Sequence, residues 1–268
     1  IGRSILGKTD IIKNISRDEV KNFMMSHYNP KKMIISAAGK INHDEFVEAI
    51  KKSCTNLPQG NENGRLQASY KAGEYREQKK LEQIHLLLGF EGIDYHHDDY
   101  YSLMIYSSLL GGGMSSRLFQ EVREKRGLVY SLYTFIAAYQ DGGLFGIYAG
   151  TSAEKVPELI NVVADEFLRA ANALLGDQEI TRARTQIKAE VLMSLESTSS
   201  RAERLARQLQ VHGRIVPLGE ISTRIDEVSV EDVRRVAAGL LVSPLTLASV
   251  GPVVSVVKYD KIMDRLAG

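Results

Sequence analysis

The chain has 268 residues, 44% hydrophobic and 25% charged, and its 34 Lys and Arg face 33 Asp and Glu for a formal net charge of +1. This is the composition of an ordinary soluble protein, long enough for one large or two modest domains, and its balanced charge provides no field to draw nucleic acid, acidic lipid or a polyanionic substrate. The lone cysteine, Cys54, excludes an internal disulfide framework and fits a reducing, cytoplasmic setting; no run reaches the ~18 to 20 apolar residues of a membrane span. The opening IGRSILGKTD lacks the pattern of a signal peptide, and a start at Ile1 without an initiating Met suggests a fragment or a processed piece.

In chain order, Ser16 to Glu19 reads as a capping box that opens a helix carrying Val20, Phe23, Met24 and His27 or Tyr28 at helical spacing, stopped by Asn29-Pro30. Met33 to Ala38 is expected as a short buried strand ending at Gly39, and Asn42 with Glu45 caps a further helix. From Thr55 to about Glu77 the apolar period disappears while Pro58, Gly60, Asn61, Asn63 and Gly64 cluster, the signature of a linker. Leu81 to Phe90 then reads as a strand, and Asp98 or Asp99 caps a helix that meets Gly111-Gly112-Gly113.

Three glycines in a row cannot extend a helix cheaply, so the helix stops at Leu110. Ser115 or Ser116 caps a new one, with Leu118, Phe119 and Val122 on one face and Gly127 as its stop. Tyr130 heads an apolar run, so Arg123 and Tyr130 project from a helix end and a strand start joined by a tight turn. Two polar tips placed this way can hold an oxyanion; on residues alone the alternative is a surface arginine and a tyrosine at a sheet end. Val129 to Tyr139 and Leu144 to Gly150 read as strands of a hairpin turning at Asp141-Gly142-Gly143. Beyond them Val156 to Leu175, Asp177 to about Ser197, Ser200 to His212 and a piece after Pro217 carry helical periods, broken at Gly176 and Gly213.

The beginning of the chain also repeats at its end. Gly2-Arg3, Ile11, Ile15 and SRDEV (Ser16 to Val20) match Gly213-Arg214, Ile221, Ile225 and SVEDV (Ser229 to Val233). Pro30 answers Pro244, MIISAAG answers TLASVG, and Asn42 to Ile50 answers Lys258 to Leu266. An ordered match of this kind divides the chain into 1–60, the tail of a first domain; 61–76, a linker; and 77–268, a complete second domain of α+β class.

Specific chemical motifs are scarce. Neither H-x-x-E-H nor H-E-x-x-H occurs, and His96-His97 followed by Asp98-Asp99 is too compressed to share one metal, which leaves a polar turn. His27, His43, His85 and His212 are scattered. GGGMSS lacks the Lys-Ser/Thr of a P-loop, and no G-x-S-x-G elbow exists. Ser194 to Gln210 is basic and serine-rich, yet Glu196 and Glu203 balance Arg201, Arg204 and Arg207, as on solvated helices.

The phrases GRSILG, SSRLFQEVREKRGLVYS, LESTSSRAERLARQ and IDEVSVEDVRRVA together resemble the pitrilysin and mitochondrial processing peptidase family, whose metallopeptidases carry an inverted zinc motif. The resemblance implies a two-layer domain, a mixed sheet with helices on one face, preceded by the tail of a second copy. It implies that zinc serves the intact enzyme while the H-x-x-E-H ligands lie outside this chain, which then carries no metal and is inactive alone. It implies that Arg123 and Tyr130 reach toward a peptide carbonyl, and that Gly111, Gly112 and Gly113 form a loop where backbone approaches a bound peptide. The implied partners are an N-terminal catalytic domain or a sister subunit, in a homo- or heterodimer, and a peptide substrate. A relative without catalysis, a partner subunit or scaffold, is the other reading; an unrelated nucleic-acid-binding domain is discouraged by the charge balance.

Overall fold

The computed structural model describes residues 2, 4–60, 66–172 and 175–267. The chain forms two compact units: Ile1–Ala68 with Met193–Val216, and Ser69–Leu192 with Pro217–Gly268. The segment Met193–Val216, which the sequence pattern places inside 77–268, thus clusters with the first unit. Residues 61–65 of the expected linker lie outside the described residues.

In the first unit, helix α1 (Thr9–Asn14) leads into α2 (Arg17–His27), and the expected capping box is present: Glu19 N–H donates to Ser16 Oγ while Ser16 N–H donates to Glu19. Asn29 accepts from Lys31 N–H at a short 3-10 turn, Pro30–Lys32, and Asn42 caps α3 (His43–Ser53). The expected strand at 33–38 does not form. All strands among the described residues belong to the second unit, and an extended segment with no neighbouring strand has no ladder to satisfy its backbone. Met33, Ile34 and Ile35 are accordingly exposed rather than buried, and Ser36 donates to the Ala202 carbonyl of the unit's last helix, Thr198–His212.

The second unit is built on a five-stranded sheet. Strand β1 (Gly73–Gln78) precedes β2 (Ile84–Gly92), α4 (Tyr100–Gly111), β3 (Ser131–Ala138) and β4 (Gly143–Thr151). Helices α5 (Val156–Asn172) and α6 (Asp177–Ser194) follow, and the helix of the first unit is α7 in chain order. Then come α8 (Leu218–Glu227), α9 (Val230–Val242), β5 (Thr246–Gly251) and α10 (Tyr259–Ala267). The strand order is β1-β5-β2-β4-β3, with β1 and β5 parallel and the other neighbours antiparallel.

Strand β1 sits where the sequence shows only the end of a linker. GEYREQ has no apolar alternation because β1 is an edge strand; Arg76 anchors it by donating to the Val256 and Val257 carbonyls, both at 2.8 Å. Strand β2 alternates cleanly. Ile84, Leu86, Leu88 and Phe90 are buried, as are Phe145, Ile147 and Ala149 of β4, and α4, α5, α9 and α10 pack onto that layer. Phe90 stacks on Phe167 of α5 at 4.7 Å, and Tyr106 of α4 meets Phe145 at 5.5 Å. Each fully buried ring or branched chain of this kind contributes roughly 1.5–3 kcal/mol by burial, so the core lies here. The architecture is the expected α+β mixed sheet with helices.

The β3–β4 hairpin is also as expected. It runs in register from Ser131 opposite Gly150 to Ala138 opposite Gly143, closed by Tyr139 N–H to the Gly142 carbonyl at 2.8 Å. Strand β3 is the other edge of the sheet. Its outward Tyr133 stacks on Tyr148 at 4.9 Å, whose hydroxyl pairs with His85 Nδ1 at 2.6 Å.

Candidate functional site

Helix α4 ends one residue later than its sequence predicts, at Gly111, where the backbone lies against β3: a Cβ there would meet Thr134 Cγ2 at 2.7 Å and Thr134 N at 3.0 Å. At Gly112 a Cβ would meet Ser108 Cα at 2.6 Å. Neither glycine has a positive φ, so close approach, not left-handed backbone, demands them. Thr134 Oγ1 donates to the Ser107 carbonyl at 2.7 Å, fixing the last turn of α4 to β3. Gln186 of α6 donates to the Gly112 carbonyl at 2.7 Å.

After the loop the expected serine cap is missing. Ser116 Oγ is buried without a partner among the described residues, and the helical stretch begins at Arg117 without a side-chain cap. Arg117 instead reaches Glu179 of α6 through two hydrogen bonds, at 2.9 and 2.7 Å. That pairing holds the Glu179 carboxyl below its ordinary range and raises the Arg117 guanidinium above its own. The expected short helix is a π turn over Phe119–Glu124, with Lys125 N–H bonded to the Gln120 carbonyl. Leu118 and Val122 are fully buried as the apolar face predicts, and Phe119 is half-buried. A π turn inserts one extra residue per turn and rotates the residues after it, and such turns gather at functional sites.

Gly127, at φ 59°, closes the π turn as its sequence position predicts. Gly127 N–H bonds to the Arg123 carbonyl at 3.0 Å and Leu128 N–H to the Val122 carbonyl at 2.9 Å, a closure one residue wider than a Schellman motif, as the π turn requires, with Leu128 buried behind it. Lys155 donates to the Gly127 carbonyl, and Tyr130 N–H bonds to the Gly150 carbonyl at the end of β4, at 2.9 Å. The Gly127-Leu128-Val129 link is therefore pinned at both ends.

Arg123 and Tyr130 stand at the two ends of that link with their side chains open to solvent. Tyr130 is 61% exposed, and among the described residues its hydroxyl has no hydrogen-bond partner. Neighbouring Lys125 and Arg126 are both tied to Glu121, whose carboxyl they hold below its ordinary range. Arg123 forms no ion pair among the described residues, and its guanidinium lies over the Phe119 ring, 5.0 Å from the centroid. Among the described residues the site thus has one cation without an ion pair and one phenol without a hydrogen bond, on a fixed frame. A developing negative oxygen is the kind of group they suit.

Among the described residues, no three His, Cys, Asp or Glu stand close enough to hold a metal ion. His96 and His97 occupy the polar turn ahead of α4, where Asp99 N–H donates to His97 Nδ1. Glu179, which holds Arg117, and Gln186, which holds the Gly112 carbonyl, are not singled out by the sequence: they stand 62 and 74 residues from those partners. No helix among the described residues is long and apolar enough to cross a membrane.

Known proteins share this fold. Residues 14–187 match the family profile described as the peptidase M16 inactive domain. The chain is 32% identical over 275 residues to an uncharacterised zinc protease of Streptomyces coelicolor, covering 99% of this chain and 59% of that protein. An uncharacterised zinc protease of Bacillus subtilis is 31% identical over 253 residues, covering 94% and 62%. A probable mitochondrial-processing peptidase subunit beta of Arabidopsis thaliana is 32% identical over 285 residues, covering 99% and 52%. The chain therefore spans between half and two thirds of the length of these relatives. A chain of complex III2 from Candida albicans superposes with a TM-score of 0.87 at 20% identity, over 97% of this chain and 65% of that one, and shows the same fold. The chain belongs to the M16 peptidase family and is similar to its C-terminal, inactive-domain part.

Proposed function

We propose that this chain is the metal-free part of a zinc-dependent endopeptidase, and that it supplies Arg123 and Tyr130 to the peptide carbonyl under attack. The observation that carries this reading is the pair itself: among the described residues the Tyr130 hydroxyl has no hydrogen-bond partner and Arg123 no ion pair, and the two stand seven residues apart on a link fixed by the Gly127 and Leu128 N–H bonds and by Tyr130 N–H to Gly150. When a peptide bond is hydrolysed its carbonyl oxygen gains negative charge. A phenol O–H donating to that oxygen and a guanidinium beside it bind the transition state more tightly than the substrate. Because the frame is set before the peptide arrives, little reorganisation is left for the reaction. Beyond the buried Gly111, Gly112 and Gly113 carry no side chains and leave backbone open for an extended peptide. Zinc is held in this proposal by a catalytic domain or sister subunit outside this chain, consistent with the relatives' names and with the lack of a ligand set among the described residues.

Tyr130→Phe removes one donor and leaves the ring. In the intact zinc enzyme it lowers kcat by about ten- to a thousandfold with KM little changed. Unchanged kinetics with a zinc-dependent activity present would sink the oxyanion role. The second reading, a non-catalytic partner subunit, is favoured by relatives named as alpha and beta subunits of the processing peptidase. It predicts that Tyr130→Phe leaves turnover intact while deletion of the chain abolishes it.

A further inference from the structure

The glycine loop is held by one face of α6. Glu179, Ala183, Gln186 and Glu190 recur at helical spacing and so line one side of the helix. At the first turn Glu179 binds Arg117 bidentately and also accepts from Gly176 N–H at 3.1 Å. Two turns on, Gln186 donates to the Gly112 carbonyl at 2.7 Å and to Glu190 at 3.0 Å. Ala183 stands between these grips, buried but too short to fill the space. A cavity of about 10 Å³ is left there, lined by Ser108, Ser115, Ser116, Glu179, Ala183 and Gln186. The flanking Leu110 and Leu118 are core residues at 0% exposure. Residues 112–117 are therefore placed from α6 by hydrogen bonds at two points across a small gap, not by close packing.

We propose that this face of α6 sets the glycine loop for peptide binding, so that Gln186 and the Arg117–Glu179 pair are positioning residues of the peptide site; this rests on the reading of Gly111 to Gly113 as substrate-binding. A segment with three glycines has the most backbone freedom to lose. Without the Gln186 grip, that freedom must be lost when peptide binds, and binding weakens. The chemical step is spared, because Arg123 and Tyr130 sit on a frame closed separately at Gly127 and Gly150. The effect is a KM effect, unlike that of Tyr130→Phe.

The test uses the intact zinc enzyme, a quenched-fluorescent extended peptide as probe, and hydrogen exchange of residues 109–118. Gln186→Ala is expected to speed exchange at 111–117 and to raise KM by about three- to tenfold, with kcat within about twofold. Gln186→Lys keeps a donor within reach of the Gly112 carbonyl and is expected to return both toward wild type. Faster exchange with unchanged KM would overturn the peptide-site role, and unchanged exchange would overturn the grip itself. Equal KM for the Ala and Lys variants would show that the side chain acts only as bulk and also overturns the proposal. Running Tyr130→Phe beside them separates the two readings: an unaffected kcat there removes the oxyanion role, whereas a Gln186→Ala KM equal to wild type removes only this one.

Discussion

At Gly111 the molecule tolerates nothing larger than hydrogen. The nearest atoms to an added Cβ are Thr134 Cγ2, N and Oγ1, at 2.7, 3.0 and 3.0 Å, and one of them is backbone in a paired strand. Gly111→Ala must therefore push α4 from β3 or break the Thr134–Ser107 contact, an overpacking cost of about 1–3 kcal/mol. Urea denaturation of the variant shows it as a lower midpoint at unchanged slope; a shift below about 0.5 kcal/mol means that the α4–β3 contact yields freely. Gly127, whose Cβ would meet nothing within 4 Å, is demanded for a different reason, its φ of 59°. Both glycines are visible in the sequence, but only as breaks; the reason for each needs the neighbour or the dihedral angle. Arg123 and Tyr130 could be singled out from the sequence because they stand in one short phrase, although Gly150 and Lys155 from outside it also hold their frame. Glu179 and Gln186 are not, since no local pattern links α6 to a loop more than sixty residues earlier.

The repeat legible in the sequence gives two elements that answer each other. Helices α2 and α9 both open with a reciprocal capping box, Ser16 with Glu19 and Ser229 with Asp232. The strands expected after them in sequence diverge. TLASVG forms β5 between β1 and β2, whereas the residues at 33–38 have no strand beside them within their unit and stay irregular. Strand propensity is thus necessary but pairing decides. Likewise the apolar spacing of Leu118 and Val122 reports which side is buried but not the extra residue of the π turn. The α9 cap also sets an acid limit. Hydrogen bonds from Ser229 Oγ and N–H, with Arg235 alongside, lower the Asp232 carboxyl from its ordinary 3.8 to about 2. The folded pKa is depressed, so on acidification the unfolded chain takes the proton first. The cap is fully effective above pH 3.8 and is lost as pH falls through about 2. Hydrogen exchange at the first turn of α9, tracked from pH 5 downward and corrected for the intrinsic rate, is expected to lose protection in that window. Ser229→Ala should abolish the pH dependence, and a wild-type profile flat to pH 2 would show that Asp232 is not the group responsible.

Stability is unevenly distributed over the whole molecule. The second unit holds Phe90, Tyr106, Phe145 and Phe167 in one aromatic cluster with the branched residues of β2, β4, α4 and α5 around it. Helices α1, α2, α3 and α7 contain no buried residue, and Ile11, Ile12, Ile15, Phe23 and Met25 of the first unit are exposed. Amphipathic helices that bury nothing have little beyond backbone hydrogen bonds and caps to hold them, and helices of 6 to 15 residues are marginal on those alone. Amides of β2, β4, α4 and α5 are thus expected to exchange only through global opening, and those of α1, α2, α3 and α7 several orders of magnitude faster through local unfolding. Protection in α2 equal to that of β4 would contradict this division. Exposed apolar side chains of this kind are what a partner could cover. If the proposed catalytic domain or sister subunit covers them, adding that partner slows exchange in α1 to α3 and leaves β2 and β4 as they were. Protection that rises evenly across both units would instead mean that the partner stabilises the chain without docking on the first unit.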